Sequence, residues 1–86
     1  MKEKQYKRKN QFGTFYYKDS TMRINHRTDG PAVELVIGDK VWFVNGKAHR
    51  LDGPAYEYAS GDKSWYVNGI AIFRLNNIGK FFKEMR

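Results

Sequence analysis

His26 and His49 are the only histidines among the 86 residues, and each is followed by an arginine and, three positions on, by an aspartate. An imidazole near a carboxylate is a general acid–base pairing, and His with Asp or Glu is also a metal-ligand set. Glu34 and Glu57 add two more carboxylates at matching offsets from Asp29 and Asp52. All of these groups come in twos, because HRTDGPAVEL at 26–35 returns as HRLDGPAYEY at 49–58. A reaction centre needs one copy of its chemistry, whereas a building block needs several. At the third step of the period the histidine position is Ile72, so packing suits the position better than proton transfer. Two His without any Cys make a thin metal set. Ser20, Ser60 and Ser64 stand in no His–Asp pattern, and the glycines occupy turn contexts rather than a phosphate loop. The reading is a chain with no catalytic residues, no metal and no cofactor.

The cations offer a different chemistry. The formal charge of +7 is unevenly placed, with +6 on residues 1–27, −2 on 28–71 and +3 on 72–86. Lys and Arg that neutralise phosphates release counterions, which gives strong, salt-sensitive and sequence-tolerant binding to nucleic acid. The candidate contacts are Lys2, Lys4, Lys7, Arg8, Lys9, Lys18, Arg23 and Arg27, joined by Lys80, Lys83 and Arg86 near the C-terminal end. Tyr16, Tyr17, Phe43 and Tyr66 are the rings expected to stack on bases. Trp42 and Trp65 hold one repeated position beside Val44 and Val67, and are read as core.

These side chains need a scaffold, and the repeat supplies it. Sliding the chain by 23 residues matches 26–48 to 49–71 without a gap, with 15 of 23 positions identical. Such a period marks units that bury their faces against one another. Each unit reads as a β-hairpin. AVELVI and KVWFV meet at Gly38-Asp39, AYEYAS and KSWYV meet at Gly61-Asp62, and Asn45-Gly46 and Asn68-Gly69 are type I′ turn signals. If the Gly-Asp pairs are two-residue turns, Leu35 faces Trp42, Val33 faces Val44, Tyr58 faces Trp65 and Tyr56 faces Val67, all on one apolar side. The other side then carries Glu34 with Phe43, Val36 with Val41, and Glu57 with Tyr66.

The expected fold is mainly β with a short C-terminal α: an antiparallel meander of hairpins with an amphipathic helix packed on it. Leu75, Ile78, Phe82 and Met85 carry the helical spacing. Residues 1–10 read as a basic flexible arm and 11–86 as one domain. Within it, 11–25 is a degenerate hairpin, 26–48 and 49–71 are the two copies, and 72–86 is a final strand and helix.

The 23-residue pitch, the aromatic followed by Asn-Gly and the GPAxExxxGDK stretch resemble the MORN repeat and its relatives over His26–Ala71, about half the chain. HRxDGPA replaces the shorter glycine spacing of ordinary MORN units, and the aromatic strand lacks their central glycine. This spelling is similar to the variant in tailed-phage proteins. The resemblance implies hairpins stacked in an elongated sheet, and a host-takeover or counter-defence role such as inhibiting a host toxin–antitoxin endoribonuclease together with RNA.

The expected function is therefore that of a non-enzymatic RNA-binding protein; RNA stands ahead of DNA because no groove-reading helix is evident. Two other partners fit the charge: an acidic host protein bound directly, or an acidic membrane met by the basic C-terminal helix. A homodimer is expected from the unpaired sheet edges. Without Cys, and with no apolar stretch long enough for a signal peptide or membrane span, a soluble cytoplasmic protein is expected, in the host cytoplasm if phage-encoded.

Overall fold

The computed structural model describes residues 4–76, together with the backbone of 81–83. Within that range the chain is an antiparallel β protein with no helix. Its strands are β1 Tyr6–Asn10, β2 Gly13–Tyr17, β3 Val33–Leu35, β4 Lys40–Val41, β5 Phe43–Val44, β6 Lys47–Ala48, β7 Tyr56–Glu57, β8 Lys63–Val67, β9 Ile70–Leu75 and β10 Phe81–Lys83. Eight of them form one sheet in the order β1-β2-β3-β4-β7-β8-β9-β10, and β5-β6 is a separate hairpin.

Turn chemistry sets each pairing. Asn45 and Gly46 (φ 52° and 78°) and Asn68 and Gly69 (φ 50° and 80°) adopt the positive φ that type I′ hairpins demand. The β3-β4 and β7-β8 connections are not two-residue turns. Leu35 N–H donates to the Asp39 carbonyl at 2.9 Å and Tyr58 N–H to that of Asp62 at 2.9 Å, leaving three-residue loops that end on Gly38 and Gly61. Both glycines are left-handed (φ 107° and 97°), the mark of a turn followed by a glycine bulge.

That one extra residue per loop overturns the expected register. Val33 opposes Val41 and Tyr56 opposes Ser64, an odd-numbered slip that turns the second strand of each hairpin over. Phe43 and Tyr66 consequently join Val33 and Tyr56 on one face. Trp42 and Trp65 move to the face of Glu34 and Glu57.

Two further expectations meet a different structure. Tyr6–Asn10, read as part of the flexible arm, pairs with β2 across its whole length. Asn10 closes that hairpin by accepting from the Phe12 and Gly13 amides at 2.8 and 3.3 Å. The expected C-terminal helix is absent over Phe81–Lys83, where the backbone pairs with Phe73–Leu75 as a strand; Ile78 and Met85 lie outside the described residues.

The sheet has no second layer among the described residues. Its buried apolar side chains are Tyr16 and four alanines, Ala32, Ala48, Ala55 and Ala71. Cohesion comes instead from a repeated latch between successive units. Gly46 N–H donates to Asn25 and Gly69 N–H to Ala48, at 2.9 and 2.8 Å. His26 Nδ1 accepts the Asn45 amide and His49 Nδ1 the Asn68 amide, each at 3.0 Å. Each imidazole is thus a backbone acceptor that holds the Asn-Gly turn of its own copy, while the glycine amide of that turn reaches the last residue of the preceding one.

The arginines add a staple. The Arg50 guanidinium lies 3.9 Å from the centre of the Trp42 ring and donates to Asp52, the Pro54 carbonyl and Glu57 at 3.0, 3.1 and 3.0 Å. Arg27 repeats this on Tyr16 at 4.0 Å, with Asp29 at 2.8, Pro31 at 3.1 and Glu34 at 3.5 Å. Tyr16 therefore plays the part of Trp42, and 11–25 is a unit of the same design with a longer connection. In the third unit, Phe73 takes the arginine's place and stacks on Trp65 at 4.5 Å. Gly30 and Gly53 leave room for the staples, since a Cβ would sit 2.9 and 2.8 Å from the guanidinium carbons.

Candidate nucleic-acid interface

Directly opposed residues share a face, so the register can be followed across the whole sheet. One row runs Arg8, Phe15, Val33, Val41, Tyr56, Ser64, Arg74. The next row, on the opposite face, runs Lys9, Thr14, Glu34, Lys40, Glu57, Lys63. The first face is aromatic, with an arginine on β1 and another on β9. The second alternates acids and bases, and opposite charges across neighbouring strands hold it together.

Among the described residues, no second layer covers the aromatic face. Tyr56 stands at its centre, 5.8 Å from Tyr58 in a stacked pair, 5.2 Å from Tyr66 and 6.3 Å from Phe43 edge-on. All four rings retain solvent exposure, Tyr58 to 40%. Burial pushes the Tyr56 and Tyr58 hydroxyls above the ordinary tyrosine value, with neighbouring tyrosines adding to the effect. Tyr6 and Tyr17 oppose each other across β1 and β2 and extend the same face. From Arg8 to Arg74 are six strand intervals, a span of about 29 Å, within the 39 Å length of the molecule.

The cations expected to contact phosphate fall into distinct groups. Lys4, Lys7, Arg8 and Lys9 are exposed at or beside the β1 edge. Lys4 lies 5.2 Å over the Tyr6 ring and Lys7 5.8 Å over Tyr16. Lys18 and Arg23 are exposed in the connection after β2. Asp19 sits between them, its carboxyl held below the usual range chiefly by the Thr21 hydroxyl and backbone. Arg27 does not belong with these residues, because its guanidinium is held internally by Asp29, Pro31, Glu34 and Tyr16. Lys83 is on β10, at the sheet edge opposite β1; Lys2, Lys80 and Arg86 lie outside the described residues. The two basic ends of the sequence are therefore at different edges.

The expected stacking rings divide in the same way. Tyr17, Phe43 and Tyr66 share the aromatic face, whereas Tyr16 is buried on the other face beneath Arg27. Phe15, Tyr56, Tyr58 and Arg74 were missed, although Tyr56 and Tyr58 become legible once each Gly-Asp loop is given three residues, and Phe15 joins them through its pairing with Val33. Two clefts flank these features. One of about 490 Å³ lies between the Arg27–Gly30 and His49–Asp52 loops, where the guanidiniums are already held. The second, about 460 Å³, opens beside Tyr58, Tyr66 and Arg74.

Among the described residues, no three of His, Cys, Asp and Glu come together to hold a metal, and no helix is long and apolar enough to cross a membrane. Compared with protein families, curated proteins and solved structures, the chain shows no match.

Proposed function

We propose that the chain is a non-enzymatic RNA-binding protein that stacks single-stranded bases on its aromatic face and holds phosphates with the cations at the β1 edge and in the connection after β2. The observation that carries this reading is the unbroken cross-strand row from Arg8 through Phe15 and Tyr56 to Arg74, on a sheet face that no second layer covers among the described residues. Rings give sequence-tolerant affinity because every base has a π-face, and cations beside them neutralise the backbone. In keeping with the MORN-like spelling in tailed-phage proteins, the proposal extends to a counter-defence factor that inhibits a host nuclease or toxin while bound to RNA.

Fluorescence anisotropy with single-stranded oligonucleotides of about eight nucleotides tests the binding. Engagement of six cations (Lys4, Lys7, Arg8, Lys9, Lys18 and Arg23) makes log affinity fall with log salt at a slope of about −4. Arg8→Glu with Lys9→Glu should flatten that slope. Phe15→Ala should weaken binding and leave the slope unchanged. A slope near zero for the native protein overturns the proposal.

A second reading draws on the β1 edge itself. Tyr6–Asn10 is the end strand of the sheet among the described residues and carries three cations in a row, which suits an acidic extended segment of a host protein. Capture of the partner that survives nuclease treatment favours this reading. The acidic-membrane reading relied on a basic terminal helix, and the strand at Phe81–Lys83 leaves it without that support.

A further inference from the structure

The two copies differ at eight of their 23 aligned positions, and the differences are not scattered. Four of the eight fall on the aromatic face. There the first copy carries Val33, Leu35, Val41 and Phe43, and the second carries Tyr56, Tyr58, Ser64 and Tyr66. Every one of these exchanges puts a hydroxyl where the first copy has none. The scaffold does not call for them, because the first copy closes the same three-residue loop and the same Asn-Gly turn without hydroxyls at these positions.

The four side chains are neighbours. Tyr56 is flanked across the ladder by Val41 on one side and by Ser64 on the other. Its ring lies 5.8 Å from that of Tyr58 and 5.2 Å from that of Tyr66. Tyr58, Ser64 and Tyr66 border the cleft of about 460 Å³, which Asp62, Lys63 and Arg74 also line. None of the four hydroxyls has a hydrogen-bond partner among the described residues, and none is sealed from solvent. Hydroxyls that the fold leaves unused are free to serve a ligand.

Stacking on rings accepts any base, so a group read beside them is one that every nucleotide shares. Phosphate is shared, but it only accepts, and cations serve it better than neutral hydroxyls do. The ribose 2′-hydroxyl is shared by every nucleotide of RNA. It both donates and accepts, as serine and tyrosine hydroxyls do, and it is the group by which a protein tells RNA from DNA.

We infer that the second copy's part of the aromatic face is a ribose-reading subsite, in which the Ser64 and Tyr66 hydroxyls engage 2′-hydroxyls while the rings of Tyr56 and Tyr58 hold bases. The inference rests on the RNA-binding reading and sharpens it, since it makes one copy the reader of the sugar and leaves the other to sequence-tolerant contact.

Fluorescence anisotropy with oligo-U and oligo-dU, which differ only in the 2′-hydroxyl, tests the subsite. The native protein should bind oligo-U at least about fivefold tighter, the worth of one hydrogen bond. Ser64→Val with Tyr66→Phe gives the second copy the residues that the first carries at the same positions, so the hairpin should fold as before. This variant should lose the preference for oligo-U and bind oligo-dU as the native protein does. Equal affinity of the native protein for the two oligomers, or an unchanged preference in the variant, overturns the ribose subsite and leaves general single-strand binding standing. If neither oligomer binds, the RNA reading falls and the subsite falls with it. Sedimentation of the protein alone tests another occupant of the face. A monomer leaves the face to RNA, whereas a dimer that Tyr58→Arg splits puts a second copy there and overturns the proposal.

Discussion

Replacing Arg50 isolates what the repeated motif contributes, because each of its partners is identified. Arg50→Ala removes the donor to the partly buried Pro54 carbonyl, a loss of about 1 kcal/mol. The Glu57 pair is one-third exposed on the acid side and adds about 1 kcal/mol after screening. The guanidinium over Trp42 contributes about 1 kcal/mol more. Asp52 is 88% exposed and adds little. A total of about 3 kcal/mol is a large share of the stability of so small a domain, and lowers its melting temperature by roughly 12–24 °C. Thermal unfolding followed by far-ultraviolet circular dichroism measures this directly. Arg50→Lys keeps the charge and loses the planar fork, so it should recover about 1 kcal/mol at most. Full stability in Arg50→Lys, or a drop of less than about 5 °C in Arg50→Ala, would show that the staple is ornamental and that cohesion lies elsewhere.

Three other outcomes follow from the same contacts. Gly53→Ala should cost about 1–2 kcal/mol in the native protein and much less in an Arg50→Ala background, since the three atoms nearest its Cβ all belong to the guanidinium; a double-mutant cycle by urea unfolding reads the coupling. His49→Leu should cost about 1 kcal/mol and speed hydrogen exchange at the Asn68 amide, which donates to Nδ1, and nitrogen NMR should find the His49 proton on Nε2. Tyr56 and Tyr58 ionise later when folded than when unfolded, so above pH about 10 the unfolded chain loses protons first and stability falls with rising pH; Tyr56→Phe with Tyr58→Phe should reduce that alkaline slope in urea unfolding.

Much of the architecture could be read from residue types alone, because turns impose conformations that few residues accept. Asn45-Gly46 and Asn68-Gly69 announced their hairpins, and the 23-residue match announced that units would lean on one another. Gly38-Asp39 misled the register. A two-residue turn and a three-residue loop ending in glycine share the same letters, and the difference lies in whether Val36 and Ile37 belong to the strand or the loop and Asp39 to the loop or the strand. That odd-numbered slip decided which face both tryptophans occupy. The β1 strand was hidden by its charge: an edge strand has one free side and tolerates lysines that an inner strand would not. Tyr16 escaped notice as the counterpart of Trp42 because the connection after β2 is three residues longer, which breaks the period. Arg27 was legible in principle. It recurs as Arg50 in the same setting, and the reasoning that made the histidines structural applies equally to the arginine beside them.

Because each copy gives its turn glycine's amide to the last residue of the copy before it, and lays its arginine on that copy's ring, the assembly has a direction. A spliced-in extra 23-residue module between Ala48 and His49 would find a carbonyl and a ring waiting on one side and offer its own on the other. After Ala71 the histidine and arginine positions hold Ile72 and Phe73, and the ring of Phe73 settles on Trp65 where a guanidinium would otherwise lie. That exchange of a grasping side chain for a flat one leaves the last of the three rings with a partner that has no hydrogen bond to give.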